Sequence, residues 1–127
     1  MEVYFGGAYQ GKIDYVCSKK NMSVVADGAD CNIEDLENAE ILNHMHLLIK
    51  RYVKEGKSTD TLIDSLYDIN PEIIIICDEV GSGIVPLEKE DRIYREAVGR
   101  VLCSAVKKAV HVERVICGIG QCLKGGQ

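Results

Sequence analysis

The chain of 127 residues carries 15 Lys and Arg against 20 Asp and Glu, for a formal net charge of −5, and is 46% hydrophobic. That suffices for one domain with a single core, and an acidic chain without a basic run excludes a nucleic acid as the expected partner. No stretch approaches the roughly 20 apolar residues that cross a bilayer, and no basic-then-apolar leader opens the chain. A cytoplasmic protein with no membrane partner is expected.

The six cysteines, Cys17, Cys31, Cys77, Cys103, Cys117 and Cys122, include no C-x-x-C pair. They read as reduced, structural thiols, with Cys77 and Cys117 inside buried strands.

Glu2–Phe5 is a short strand that runs into Gly6-Gly7-Ala8-Tyr9-Gln10-Gly11-Lys12-Ile13, and a helix follows to about Lys20. Strand, glycine loop and helix are the setting in which G-x-x-x-x-G-K, intact from Gly6 to Lys12, cradles phosphates. Glycines let backbone N–H groups turn inward as an anion nest, the helix N-terminus adds partial positive charge, and Lys12 supplies a full one. The alternative is a glycine turn without a ligand. Ile13 stands where a hydroxyl would ligate Mg²⁺.

Ser23–Gly28 reads as a second strand, with Asp27 at its end either holding Mg²⁺ or starting a turn. Asn32 and Asp35 form a capping pair for a helix from about Ile33. Ile41, Leu42, Met45, Leu48, Ile49, Tyr52 and Val53 mark one apolar helix face, ended by Gly56. His44 and His46 lie two apart on it, so they are expected not to face each other and to be exposed or half-exposed. Ser58 is the expected N-cap of a second amphipathic helix through Leu62, Ile63, Leu66 and Ile69, stopped by Asn70-Pro71.

Ile73–Cys77 is an apolar run, mostly β-branched, as in a strand buried on both faces of a parallel sheet. Asp78 and Glu79 follow at its carboxyl end, where ligands of open α/β sheets sit, although they could instead cap the turn. Gly81-Ser82-Gly83 turns the chain, Pro86 closes the turn, and a long helix starts at about Leu87. Its apolar side is Ile93, Ala97, Val101, Ala105 and Ala109, and its charges form a solvated face. Arg114–Cys117 is a last buried strand, Gly118-Ile119-Gly120 breaks it, Gln121–Leu123 turns back, and residues 124–127 are loose. Alternating strands and helices predict an α/β fold with a mostly parallel sheet of four to five strands.

Asp78-Glu79-Val80-Gly81-Ser82-Gly83-Ile84-Val85-Pro86, then Arg92-Ile93-Tyr94-Arg95-Glu96 and Gly99-Arg100-Val101, resembles one family. It is the adenosylcobinamide kinase / adenosylcobinamide-phosphate guanylyltransferase family of cobalamin biosynthesis. The strand and G-I-G from Val115 to Gly120 also fit it, and Gly6 to Ile13 matches its G-G-x-x-S-G-K-S imperfectly. The resemblance implies a P-loop NTPase-like three-layer fold over residues 1–127 and the use of ATP or GTP with Mg²⁺. It also implies a corrinoid substrate phosphorylated on a hydroxyl, GMP transfer through a histidine, and a homo-oligomer, trimeric in the family. Carried over, Gly6, Gly7, Gly11 and Lys12 cradle phosphates, and Asp78, Arg92 and Arg95 join them as cofactor-binding candidates. Lys12 and Glu79 are the catalytic candidates, Asp27 and Glu79 the metal candidates, and Arg92 and Arg95 brace the site or a subunit contact.

Two departures shape the expectation: Ile13 replaces the metal-binding hydroxyl, and no counterpart of the nucleotide-accepting histidine's neighbourhood is found. A nucleotide-binding protein without guanylyl transfer and with weak or no kinase activity is expected. The alternative is a non-catalytic binding or regulatory subunit retaining the fold, and a third reading is a small kinase for another hydroxylated substrate.

Overall fold

The computed structural model describes residues 1–21, 24–80 and 88–126. Six strands form one sheet: β1 (Glu2–Gly6), β2 (Val25–Asp27), β3 (Ile41–Asn43), β4 (Ile74–Asp78), β5 (His111–Ile116) and β6 (Ile119–Lys124). Their spatial order is β2-β3-β4-β1-β5-β6; the first five are parallel, and β6 returns antiparallel along β5. The helices are α1 (Lys12–Lys20), α2 (Met45–Lys54), α3 (Leu62–Ile69) and α4 (Lys89–Lys108), and Ile33–Glu37 is a 3₁₀ turn.

The two faces of the sheet explain the layers. Tyr4, Ile41, Ile74, Ile76 and Val115 point to one side, where Val16 of α1 meets them. Val3, Leu42, Ile75, Cys77 and Val112 point to the other and pack on α2, α3 and α4. Ile74, Ile75, Ile76 and Cys77 are each at most 1% exposed, so β4 is buried on both faces as its unbroken apolar run requires. Each such isoleucine contributes roughly 2–3 kcal/mol of hydrophobic burial. The fold is the α/β, P-loop NTPase-like architecture, with three layers.

The sheet has one strand more than the pattern predicted. Ile41–Asn43 is β3, not the start of a helix, and α2 begins only at Met45. Ile41 and Leu42 fall in step with the later apolar positions, so period alone cannot separate a two-residue apolar strand from the helix it feeds. The predicted helix from Ile33 is a short 3₁₀ turn whose Asp35 carboxylate accepts the Asn32 N–H at 3.0 Å. Ser58 does not cap α3: its hydroxyl accepts the Asp60 N–H at 3.2 Å, and Thr61 precedes the helix. Cys117 is not in a buried strand but is exposed, at φ 50° in the β5–β6 turn. Lys124 is not loose; it ends β6, and its Nζ donates to the Val106 and Lys107 carbonyls at the end of α4. The predicted Gly81-Ser82-Gly83 turn, Pro86, the helix start at Leu87 and the strand start at Ser23 lie outside the described residues. Among the described residues no helix is long and apolar enough to cross a membrane.

Candidate functional site

The carboxyl ends of β1, β3 and β4 meet the loop between β1 and α1 around a cleft of about 320 Å³. Gly11, Lys12, Ile13, His44, His46 and Asp78 are among its lining residues. Topology puts them there, because each parallel strand hands its chain to a loop or helix at the same edge of the sheet.

Gly11 ends the loop at φ 77°, a left-handed conformation that glycine adopts without steric cost, and this aims α1 back across the sheet. Lys12, in the first turn of α1, is only 7% exposed. Its Nζ donates to the Gly7 carbonyl at 2.7 Å and pairs with Asp78 Oδ1 at 2.6 Å. The backbone N–H groups of Ala8, Tyr9 and Gly11 find no acceptor among the described residues. They remain available to an anion, as in a phosphate-binding nest. Tyr9, at φ 60°, is fully exposed at the loop's apex.

Asp78 is held from a second side. The buried His46 ring accepts the Asp78 N–H on Nδ1 at 3.1 Å, which leaves the proton on Nε2, 3.4 Å from Asp78 Oδ2. Burial pushes the His46 imidazole below the usual histidine range, against the opposing pull of Asp78. His44 precedes it at φ 58°, ψ 49°. Its Nδ1 lies 3.1 Å from Asp27 Oδ1, and no hydrogen bond engages its Nε2 among the described residues. Burial tends to raise the Asp27 carboxyl, but the Ala29 N–H and the His44 ring outweigh that and hold it below the ordinary carboxylate range.

The two histidine rings meet edge to face, centroids 5.5 Å apart. This corrects the expectation that they would not face each other; His44 is half-exposed as expected, whereas His46 is buried. His44 lies outside the helix, and its left-handed backbone folds the strand–helix junction so that both rings reach the cleft. Polar Asn43 directly after Ile41-Leu42 was the available signal, matching the switch from apolar strand to polar turn at Cys77-Asp78.

The other candidates are spread more widely. Gly6 ends β1 and Gly7 supplies the carbonyl that takes Lys12. Glu79 turns toward β5, where its carboxylate accepts Arg114 Nη2 at 3.1 Å while its N–H donates to the Gly6 carbonyl. Asp27 reaches the cleft only through His44. Asp27 and Glu79 follow β2 and β4, which β3 separates, a backbone span of roughly 10 Å at about 4.8 Å per strand. Arg92 is exposed and Arg95 half-buried on α4, and neither lines the cleft.

Comparison with known protein families matches residues 23–123 to cobinamide kinase / cobinamide phosphate guanyltransferase. The match covers most of the chain and begins after the glycine loop, whose reading rests on the Lys12 and Asp78 geometry. No curated protein matches the chain. The family is one of nucleotide-using kinases and transferases in cobalamin biosynthesis, and a match over this much of the sequence makes the chain a member of the cobinamide kinase / cobinamide phosphate guanyltransferase family.

Proposed function

We propose that the protein binds ATP or GTP by its phosphates in the cleft between the glycine loop and the ends of β3 and β4. It transfers a phosphoryl group to a corrinoid hydroxyl weakly or not at all, and it does not transfer GMP. The observation that carries this reading is Lys12, buried at the start of α1 and reaching across to Asp78, with loop N–H groups beside it that have no acceptor among the described residues. Phosphoryl transfer depends on positioning and on charge stabilisation at the phosphates. Lys12 and the loop provide the grip, whereas Ile13 offers no oxygen to a metal ion.

Calorimetric titration with ATP and GTP, each with and without Mg²⁺, tests the binding. Heat that Lys12→Ala abolishes is the expected result, and no heat with any nucleotide would sink the reading. Incubation with GTP labelled at the α-phosphate tests the second part. No covalent label is expected, since both ring nitrogens of His46 are engaged. Label on His44, whose Nε2 is open, would restore guanylyl transfer.

The non-catalytic reading, a binding or regulatory subunit, is favoured by one observation. Ile13, half-buried, packs its side chain against the Tyr4, Val16 and Ile76 cluster. Turnover of cobinamide with ATP separates the two readings. As part of the same proposal the protein is cytoplasmic and a homo-oligomer, trimeric as the resemblance implies, which sedimentation equilibrium would read.

A further inference from the structure

We infer that the cleft takes a nucleotide's phosphates without a divalent cation. This rests on the nucleotide-binding reading above and specifies the ligand: the free nucleotide, not its magnesium complex.

Magnesium demands near-octahedral oxygen ligands at about 2.1 Å, and a phosphate loop draws them from the residue after its lysine, a strand-end carboxylate and the phosphates. The first ligand is absent here. Ile13 holds that position, lines the cleft and packs into the core cluster behind it. The second already faces a cation and a donor, since Asp78 Oδ1 lies 2.6 Å from the Lys12 ammonium and Oδ2 lies 3.4 Å from the His46 Nε2–H, so a metal ion there would sit against positive charge. Asp27 takes the Ala29 N–H and the His44 ring on Oδ1 and does not line the cleft, and Glu79 pairs with Arg114 away from it. Among the described residues the donor set therefore does not fit the ion.

It does fit a bare polyphosphate. Lys12, the loop residues Ala8, Tyr9 and Gly11, whose N–H groups have no acceptor among the described residues, and the amino end of the nine-residue α1 all border one volume. A nucleoside triphosphate without metal is the stronger anion and gains more from these groups than its magnesium complex does. Asp78 is the one carboxylate among the described lining residues, and it fixes the sign of the test.

Calorimetry of the intact protein with ATP in excess EDTA and in excess Mg²⁺ is the experiment. The expected result is an affinity in EDTA equal to or tighter than that in Mg²⁺. Asp78→Asn, which removes the carboxylate next to the phosphates, is expected to tighten metal-free binding several-fold. A wild-type affinity that Mg²⁺ strengthens by about tenfold or more, one decade of binding constant, overturns the inference while leaving the nucleotide reading in place. So does an Asp78→Asn protein that folds and binds ATP more weakly. No heat in either buffer overturns both. If Asp78→Asn does not fold, Ile13→Ser supplies the missing oxygen without touching the Lys12–Asp78 pair. It is expected to bind ATP more tightly with Mg²⁺ than in EDTA, and a variant that behaves as wild type in both buffers overturns the account.

Discussion

Lys12 Nζ lies 2.6 Å from Asp78 Oδ1, a cation in the first turn of α1 held by the carboxylate that ends β4. The contact joins the phosphate loop to the strand beside it, so one side chain serves both fold and site. Lys12→Ala is expected to abolish nucleotide binding and also to lower stability. A half-buried Asp78 left with only His46 should cost on the order of 2 kcal/mol, less than a fully buried orphaned charge. Urea denaturation beside the calorimetric titration reads both effects. A stable variant that still binds ATP would remove Lys12 from the site.

His46 supports the same carboxylate from below. Its ring is the acceptor for the Asp78 N–H, so His46→Ala leaves a half-buried backbone donor unpaired and should cost about 1–3 kcal/mol. Acidity should act on the same contact. Burial lowers the pKa of the folded-state imidazole, so the unfolded chain binds the proton first. Stability is then complete above the unfolded histidine value of about 6.5 and falls as pH drops below it toward the folded value. Unfolding free energy measured at pH 7.5 and 5.5 should differ more for the wild type than for His46→Gln. An equal loss in both proteins would place the titration at another group.

Much of this arrangement was legible in the residues. Phe5-Gly6, Cys77-Asp78 and the G-x-x-x-x-G-K spacing mark where buried strands give way to polar turns, and they locate Lys12 and Asp78 at one edge of the sheet. The rest was hidden for identifiable reasons. A three-residue strand with two apolar positions carries no alternation, so Ile41 and Leu42 merged with the α2 period. The rule that i and i+2 do not meet holds inside a helix, whereas His44 sits just before one at φ 58°. The side of the strand to which Asp78 and Glu79 each turn is set by their partners, Lys12 and Arg114, and those contacts span the whole chain.

Gly28 gives the cleft a second dependence on backbone geometry. It is buried against the turn before α2, and a Cβ there would run into the His44 carbonyl. Its own carbonyl, with that of Cys31, accepts Arg51 Nη1 at 2.9 and 2.8 Å, which fastens this loop to α2. Gly28→Ala must therefore push the His44 junction outward. A loss of about 1–3 kcal/mol is expected from the overpacking, together with weakened nucleotide binding, because His44 lines the cleft. Thermal unfolding and calorimetry check the pair of effects. A variant of wild-type stability and affinity would show that the junction yields freely.

Away from the cleft, Glu113 of β5 anchors α1 to the far side of the sheet, and its chemistry predicts an acid limit to the fold. The residue is 2% exposed, with its carboxylate taking Tyr15 Oη at 2.5 Å, His111 Nε2 at 2.6 Å and the Lys19 ammonium. Burial by itself would raise the carboxyl; the hydrogen bonds from His111, Lys19 and Tyr15 outweigh it and bring the pKa down to about 2. The folded pKa lies below the unfolded value of about 4.3, so the stabilisation is present above pH 4.3 and is lost as pH falls from there toward 2. The amount at stake is on the order of 2 kcal/mol, and Glu113→Gln should forfeit a similar amount at pH 7. Between pH 5 and pH 3 the unfolding free energy of the wild type should drop toward that of Glu113→Gln. Parallel curves with a constant gap would mean that the carboxylate is held in place by packing and that its charge contributes little.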